Sequence, residues 1–109
     1  MDRLAQLLQF HQEDPEDPFL QFALAVEYLK LGQDTQALAF FESLIQNHPT
    51  YIGTYYHLGK LYEQLDRTED AIAIYQRGIH IAEQIKDFHA RAELQDALMQ
   101  AQGIGWDNE

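Results

Sequence analysis

An internal period of about 34 residues constrains this chain more than any other feature, because a fixed repeat changes how every later residue is read. Setting Pro18 against Ile52 aligns Leu24 with Leu58, Tyr28 with Tyr62, Gly32 with Asp66, Ala37 with Ala71, and Phe41 with Tyr75. Large, small and turn-forming residues recur in register, which is the signature of a stacked supersecondary unit. Carried backward, the offset places Pro15 on Pro49 and Leu4-Ala5 on Leu38-Ala39, so the chain opens with half a unit. Carried forward, it fades after Glu83, where a third proline is missing, and a different, capping helix is expected to follow. A single unit cannot bury its apolar face alone, so two full units need flanking helices.

Local signals put helices inside the period. Asp17 precedes Pro18, which suits an N-cap followed by proline at the first helical position, where the missing N–H costs nothing. Gly32 is expected to close that helix in the left-handed conformation, with Asp34 capping the next. In the second unit Asp66 takes the left-handed place and Thr68 is expected to cap ahead of Glu69 and Asp70. Short turns make consecutive helices antiparallel neighbours. Helices are expected near 2–13, 18–31, 34–47, 52–65, 68–86 and 88–101, with no strand periodicity. The fold class is all-α, about six helices. Residues 1–102 are read as a single domain: half repeat 3–17, repeats 18–51 and 52–85, capping helix 87–102, then a tail over 103–109. In the last helix Phe88, Ala92, Leu94, Ala97 and Leu98 are expected to make the apolar face, leaving Arg91, Glu93 and Asp96 for water.

Residue types at fixed places carry a resemblance. The second unit has Tyr55, Leu58, Gly59 and Tyr62 in its first helix, then Ala71 and Tyr75 in its second; the first unit has Leu24, Ala25, Tyr28, Ala37, Phe41 and Pro49. In these the chain resembles the tetratricopeptide repeat family from Arg3 to about Ile85. It departs from the family's pattern at Gln21, where a bulky aromatic is usual, at Gly78, where alanine is usual, and at Glu83, where proline is usual. The resemblance implies antiparallel helix-turn-helix repeats in a right-handed α/α superhelix. The small residues Ala25, Gly59, Ala37 and Ala71 would let helices approach closely while Tyr28, Tyr62, Phe41 and Tyr75 fill the space beside them.

Composition narrows the function classes. Eighteen acidic against seven basic side chains give a net charge of −11. That field repels a phosphate backbone, so nucleic acid is not an expected partner. Cysteine is absent, which excludes disulfides, thiolate zinc sites and cysteine nucleophiles. The start, Met1-Asp2-Arg3-Leu4, lacks the form of a secretory leader, and no apolar run approaches the roughly eighteen residues of a membrane span. No membrane partner is expected, and the cytoplasm is the expected compartment. His11, His48, His57, His80 and His89 form no i, i+4 pair, and Asp14-Pro15-Glu16-Asp17-Pro18 lacks the glycine and spaced ligands of a calcium loop. With Ser43 the only serine and no phosphate-cradling glycine loop, no catalytic constellation stands out. No enzyme activity, metal or cofactor is expected.

The helix after Pro18 is too apolar to bury one side only. Leu20, Leu24, Tyr28 and Leu31 follow one stripe; Phe19, Phe22, Val26 and Leu29 follow one nearly opposite. The resemblance implies that the second stripe lines a concave groove, continued by Gly53, Tyr56, Lys60, Glu63 and Gln64. The expected partner is another polypeptide, its apolar segment on Phe19, Phe22, Val26 and Tyr56, with Lys60 or Lys30 fixing a carboxylate or backbone carbonyl. Two alternatives compete: the stripe lies under the first helix, through Leu4, Leu7, Leu8 and Phe10, or is covered by the tail with Trp106; or it meets its copy in a homodimer. Some family members that receive chaperone tails use lysine and asparagine where this chain has Phe22 and Val26, so a carboxylate clamp of that kind is disfavoured.

Overall fold

The computed structural model describes residues 2–103, so the alternative in which the tail with Trp106 covers the second stripe of α2 lies outside the described residues. Six helices follow in order: α1 (Arg3–Glu13), α2 (Pro18–Lys30), α3 (Asp34–Asn47), α4 (Gly53–Gln64), α5 (Thr68–Ile85) and α6 (Phe88–Ala101). Their ends lie within a residue of those read from the sequence, and no strand occurs among the described residues. The chain divides into two compact units, Met1–Tyr51 with α1 to α3 and Ile52–Glu109 with α4 to α6. Inside the first, α2 packs on both α1 and α3; inside the second, α5 packs on α4 and α6, and α4 also meets α6.

Three helix ends repeat one backbone motif. Gln33 N–H donates to Tyr28 O at 2.9 Å and Gly32 N–H to Leu29 O at 3.0 Å; at the equivalent place in the next repeat, Arg67 N–H donates to Tyr62 O at 2.8 Å and Asp66 N–H to Glu63 O at 3.1 Å. Asp87 and Lys86 do the same to Ala82 and Glu83. This pattern satisfies the last carbonyls of a helix and needs a left-handed residue at its centre. Gly32 supplies it at φ 73°, while Asp66 at 60° and Lys86 at 61° adopt it with a side chain attached.

The same motif corrects two expected caps. Only one residue separates each left-handed turn from the following helix, so Gln33 and Arg67 occupy the N-cap positions and neither makes a side-chain cap bond. Asp34 is already helical, and Thr68 likewise; with Glu69 and Asp70, Asp34 instead places negative charge against a first turn of free N–H groups. The expected cap at Asp17 does form, its Oδ1 accepting from Phe19 N–H at 2.9 Å ahead of Pro18. Asp2 and Asp87 cap α1 and α6 in the same way.

In the first unit Leu7 of α1 is buried with Ala23 and Leu24 of α2, and Leu4, Leu20, Tyr28 and Phe40 pack against them. Arg3 Nε reaches Glu27 at 3.4 Å on the same side. Leu8 and Phe10, expected among the residues that could cover the second stripe, are exposed. Leu31 also leaves its expected stripe: it is the C-cap, half exposed, because the chain departs from the helix there.

Glycine sets the helix spacing in the second unit. A Cβ on Gly59 would overlap the edge of the Tyr75 ring, and a Cβ on Gly78 would lie 2.6 Å from Tyr55 Cβ. Both tyrosines are completely buried. Gly78 is therefore matched to Tyr55; the equivalent positions of the first repeat hold Leu44 and Gln21, so the larger residue replaces the glycine and the smaller one the tyrosine.

Helix α6 turns part of the expected face inward. Leu94 and Ala97 are buried and Ala90, Leu98 and Ala101 half-buried, whereas Phe88 is 58% exposed and Ala92 is exposed. Arg91, expected in water, is half-buried, its guanidinium 5.3 Å above the Phe88 ring and 3.7 Å from Glu83. The left-handed turn at Lys86 and the Asp87 cap fix the phase of α6, and the 90-94-97-101 stripe has the helical spacing that fits α5.

Two outcomes follow for stability in urea. Gly78→Ala is expected to destabilise by about 1–2 kcal/mol, because overpacking against Tyr55 outweighs the roughly 1 kcal/mol helix-propensity gain. Lys86→Gly is expected to stabilise by about 0.5–1 kcal/mol, and Asp66→Gly by less, since aspartate tolerates the left-handed region better than lysine.

Candidate partner-binding faces

Phe19 sits in the first turn of α2, held there by the Asp17 cap, and is 59% exposed. One turn on, Phe22 is half-buried, its ring 5.5 Å from that of Tyr51 and 6.0 Å edge-on to that of Phe41. Burial, and then the charge of Asp17, raise the Tyr51 hydroxyl above its ordinary pKa. Val26 and Leu29 are half-buried, and Lys30 in the last turn is exposed. Toward α1, Ala23 and Leu24 are covered, and toward α3 Tyr28 stacks on Phe40 at 5.9 Å. The first unit thus leaves Phe19 and Lys30 open while Phe22 and Val26 keep part of their surface.

The second unit brings Tyr56 and Lys60 together on α4. Tyr56 is 38% exposed, and Lys60 Nζ lies 5.5 Å from the centre of its ring. Lys60 also approaches Glu63 Oε2 at 3.9 Å, and the same oxygen accepts a hydrogen bond from the Tyr75 hydroxyl at 2.5 Å. Burial raises the Tyr75 hydroxyl far above the ordinary tyrosine value, and the hydrogen bond and charge of Glu63 push the same way, with a smaller push from Tyr56. Glu63 is thereby fixed from beneath, and through it the lysine that flanks Tyr56. Gly53 is half-buried, its carbonyl 3.2 Å from His57 Nδ1, and Gln64 is exposed.

Of the residues read as repeat packing, Leu24, Ala25, Ala37, Phe41, Tyr55, Leu58, Gly59, Tyr62, Ala71 and Tyr75 are buried; Tyr28 and Pro49 are half-buried. The Glu63–Tyr75 bond escaped the sequence reading, although a signal for it exists. The equivalent positions of the first repeat hold Leu29 and Phe41, so the pair is apolar in one repeat and polar in the other. Among the described residues, no three His, Asp or Glu side chains come together as a metal site, and no helix is long and apolar enough to cross a membrane.

A family model described as tetratricopeptide repeat matches residues 28–98. The chain belongs to the tetratricopeptide repeat (TPR) family. A solution structure of a tetratricopeptide repeat domain protein from Salinibacter ruber is 51% identical, covering 88% of this chain and 97% of its own with a TM-score of 0.80. A crystal structure of a tetratricopeptide repeat domain protein from the same organism is 52% identical over 82% of this chain and 100% of its own, with a TM-score of 0.77. No curated protein matches the chain. Membership in the TPR family supports a general protein-interaction module.

Tyr75→Phe is expected to cost about 1–2 kcal/mol, since Glu63 keeps some access to water once its donor is gone. The wild-type domain should hold constant tyrosine-linked stability below about pH 10 and lose it above, because the unfolded chain releases the Tyr75 proton near its ordinary pKa while the folded chain retains it. The variant should show a shallower alkaline loss in thermal melts followed from pH 9 upward.

Proposed function

We propose that this TPR chain is an adaptor that holds another polypeptide through the outer faces of α2 and α4. In this reading repeats 18–51 and 52–85 supply the binding residues: Phe19, Phe22 and Val26 from α2, Tyr56 from α4, with Lys60 or Lys30 meeting a carboxylate or a backbone carbonyl. The observation that carries it is Phe19, a large aromatic left 59% exposed at a capped, ordered helix start. Aromatic side chains of this kind supply binding area at small entropic cost. Lys60 adds directionality, since the Tyr56 ring and Glu63 restrict its ammonium before any partner arrives. An affinity near micromolar, about −8 kcal/mol, suits such a face.

A homodimer through the same residues is the second reading, and the same exposed phenylalanine favours it. Light scattering across a concentration series separates the two: adaptor binding expects a monomer, whereas a dimer mass that Phe19→Glu abolishes would replace it with self-association.

The deciding experiment is affinity capture from source-cell lysate with wild type, Phe19→Glu and Tyr56→Lys, each checked by circular dichroism. Phe19 is preferred to Phe22, whose ring packs on Tyr51 and Phe41 and whose loss would disturb the fold. A polypeptide retained by the wild type and depleted about tenfold or more by either variant is the expected result. Equal retention by all three overturns the assignment.

A further inference from the structure

The first unit contains a pocket of about 280 Å³ between the end of α1, the turn into α2, and α3. Its walls include His11 and Phe40, whose rings meet edge-on at 5.5 Å. Gln21 lines it and is only 6% exposed. Its Nε2 donates to Pro15 O at 2.7 Å, which fixes the orientation of the amide, because only the nitrogen can donate to a carbonyl. Gln21 Oε1 is left buried with no hydrogen-bond partner, as is His11 Nδ1. Ser43 and Asn47 lie on the α3 side, Asn47 Nδ2 donating to Ser43 Oγ at 3.2 Å. Glu16 is the one charged residue of the lining, its side chain 84% exposed and 3.8 Å from His48.

Comparison of the two repeats shows that the two amides belong to the first alone, although Arg77 keeps the second polar at one place. Gln21, Phe40, Ser43 and Asn47 correspond to Tyr55, Ile74, Arg77 and Ile81. In the second repeat a fully buried tyrosine and two isoleucines hold places that the first gives to two amides and a phenylalanine. Packing alone would be met by the apolar set. A buried acceptor without a donor costs free energy, and a donor brought to it relieves that cost.

We propose that this pocket takes the guanidinium or ammonium head of a basic side chain carried by the bound polypeptide; the inference rests on the reading of the chain as a polypeptide binder. Two features select a cation. Gln21 Oε1 needs a donor, and the Glu16 carboxylate stands at the lining within a molecule of net charge −11, so a donor that also carries positive charge is favoured. Guanidinium is the better fit, as a planar group with several donors can meet an amide oxygen and a carboxylate together.

The test is NMR titration of the isotopically labelled full chain with the N-acetyl methylamides of arginine, lysine, citrulline and glutamate. Arginine is expected to give saturable shifts at the Gln21 and Asn47 side-chain amides and at the His11 and Phe40 backbone, with about millimolar affinity for so small a fragment. Citrulline, equal in shape but uncharged, should bind about tenfold more weakly, and glutamate should not bind there. Glu16→Gln, at an exposed side chain that does not endanger folding, and Gln21→Leu should each weaken arginine about tenfold. Phe19→Glu should leave this binding unchanged, so failure of the polypeptide-binding reading is seen separately from failure of the pocket. Absence of saturable shifts with arginine, equal binding of citrulline, or equal arginine binding by wild type and Glu16→Gln overturns the proposal.

Discussion

The second unit depends on two places where a helix backbone touches a tyrosine. Gly59 lies against the Tyr75 ring and Gly78 against Tyr55, leaving no volume for a methyl group at either place. Close packing of this kind fixes the distance and phase of α4 and α5 together, because neither tyrosine can move without opening a void. The consequences reach the surface: Tyr75 is held so that its hydroxyl meets Glu63, and Glu63 stands beside Lys60 on the exposed side of α4. A core contact and a surface charge are therefore one arrangement.

The first unit solves the same problem with other residues. Leu29 and Phe41 stand where the second unit has Glu63 and Tyr75, and Gln21 and Leu44 where it has Tyr55 and Gly78. Paired changes keep volume roughly balanced within each repeat while altering which polar atoms lie inside. The two repeats thus share a backbone pattern and differ in chemistry: α2 exposes Phe19 and encloses an amide, while α4 exposes Tyr56 and restrains a lysine.

Much of the helical framework was legible because period, caps and left-handed turns are local signals. The repeat offset, Pro18 behind Asp17, and Gly32 with Asp66 place the helix ends without any knowledge of packing. What was not legible depends on phase or on partners distant in sequence. Asp34 and Thr68 have the chemistry of caps, yet the turn motif consumes the residue that would have put them outside the helix. Of the expected apolar face of α6, Leu94 and Ala97 are buried, but Arg91 lies over Phe88, and Phe88 and Ala92 stay exposed. Of the residues proposed for binding, the exposure of Phe19 and the partial cover of Phe22 could not be told apart from the sequence, since both occupy one stripe and the Tyr51 and Phe41 rings that pack on Phe22 lie far along the chain.

The three left-handed turns also bear on how the chain reaches its fold. Each is closed by backbone bonds spanning only a few residues, so each helical hairpin forms from local contacts with little loop-closure entropy. Their strain is unequal: Gly32 enters the left-handed region freely, while Asp66 and Lys86 must carry side chains into it. The α2–α3 hairpin is accordingly the element expected to close first, with α4–α5 and α5–α6 following. Pulsed hydrogen exchange during refolding would then show protection arising in α2 and α3 before α5, and the reverse order would place nucleation at the glycine–tyrosine contacts.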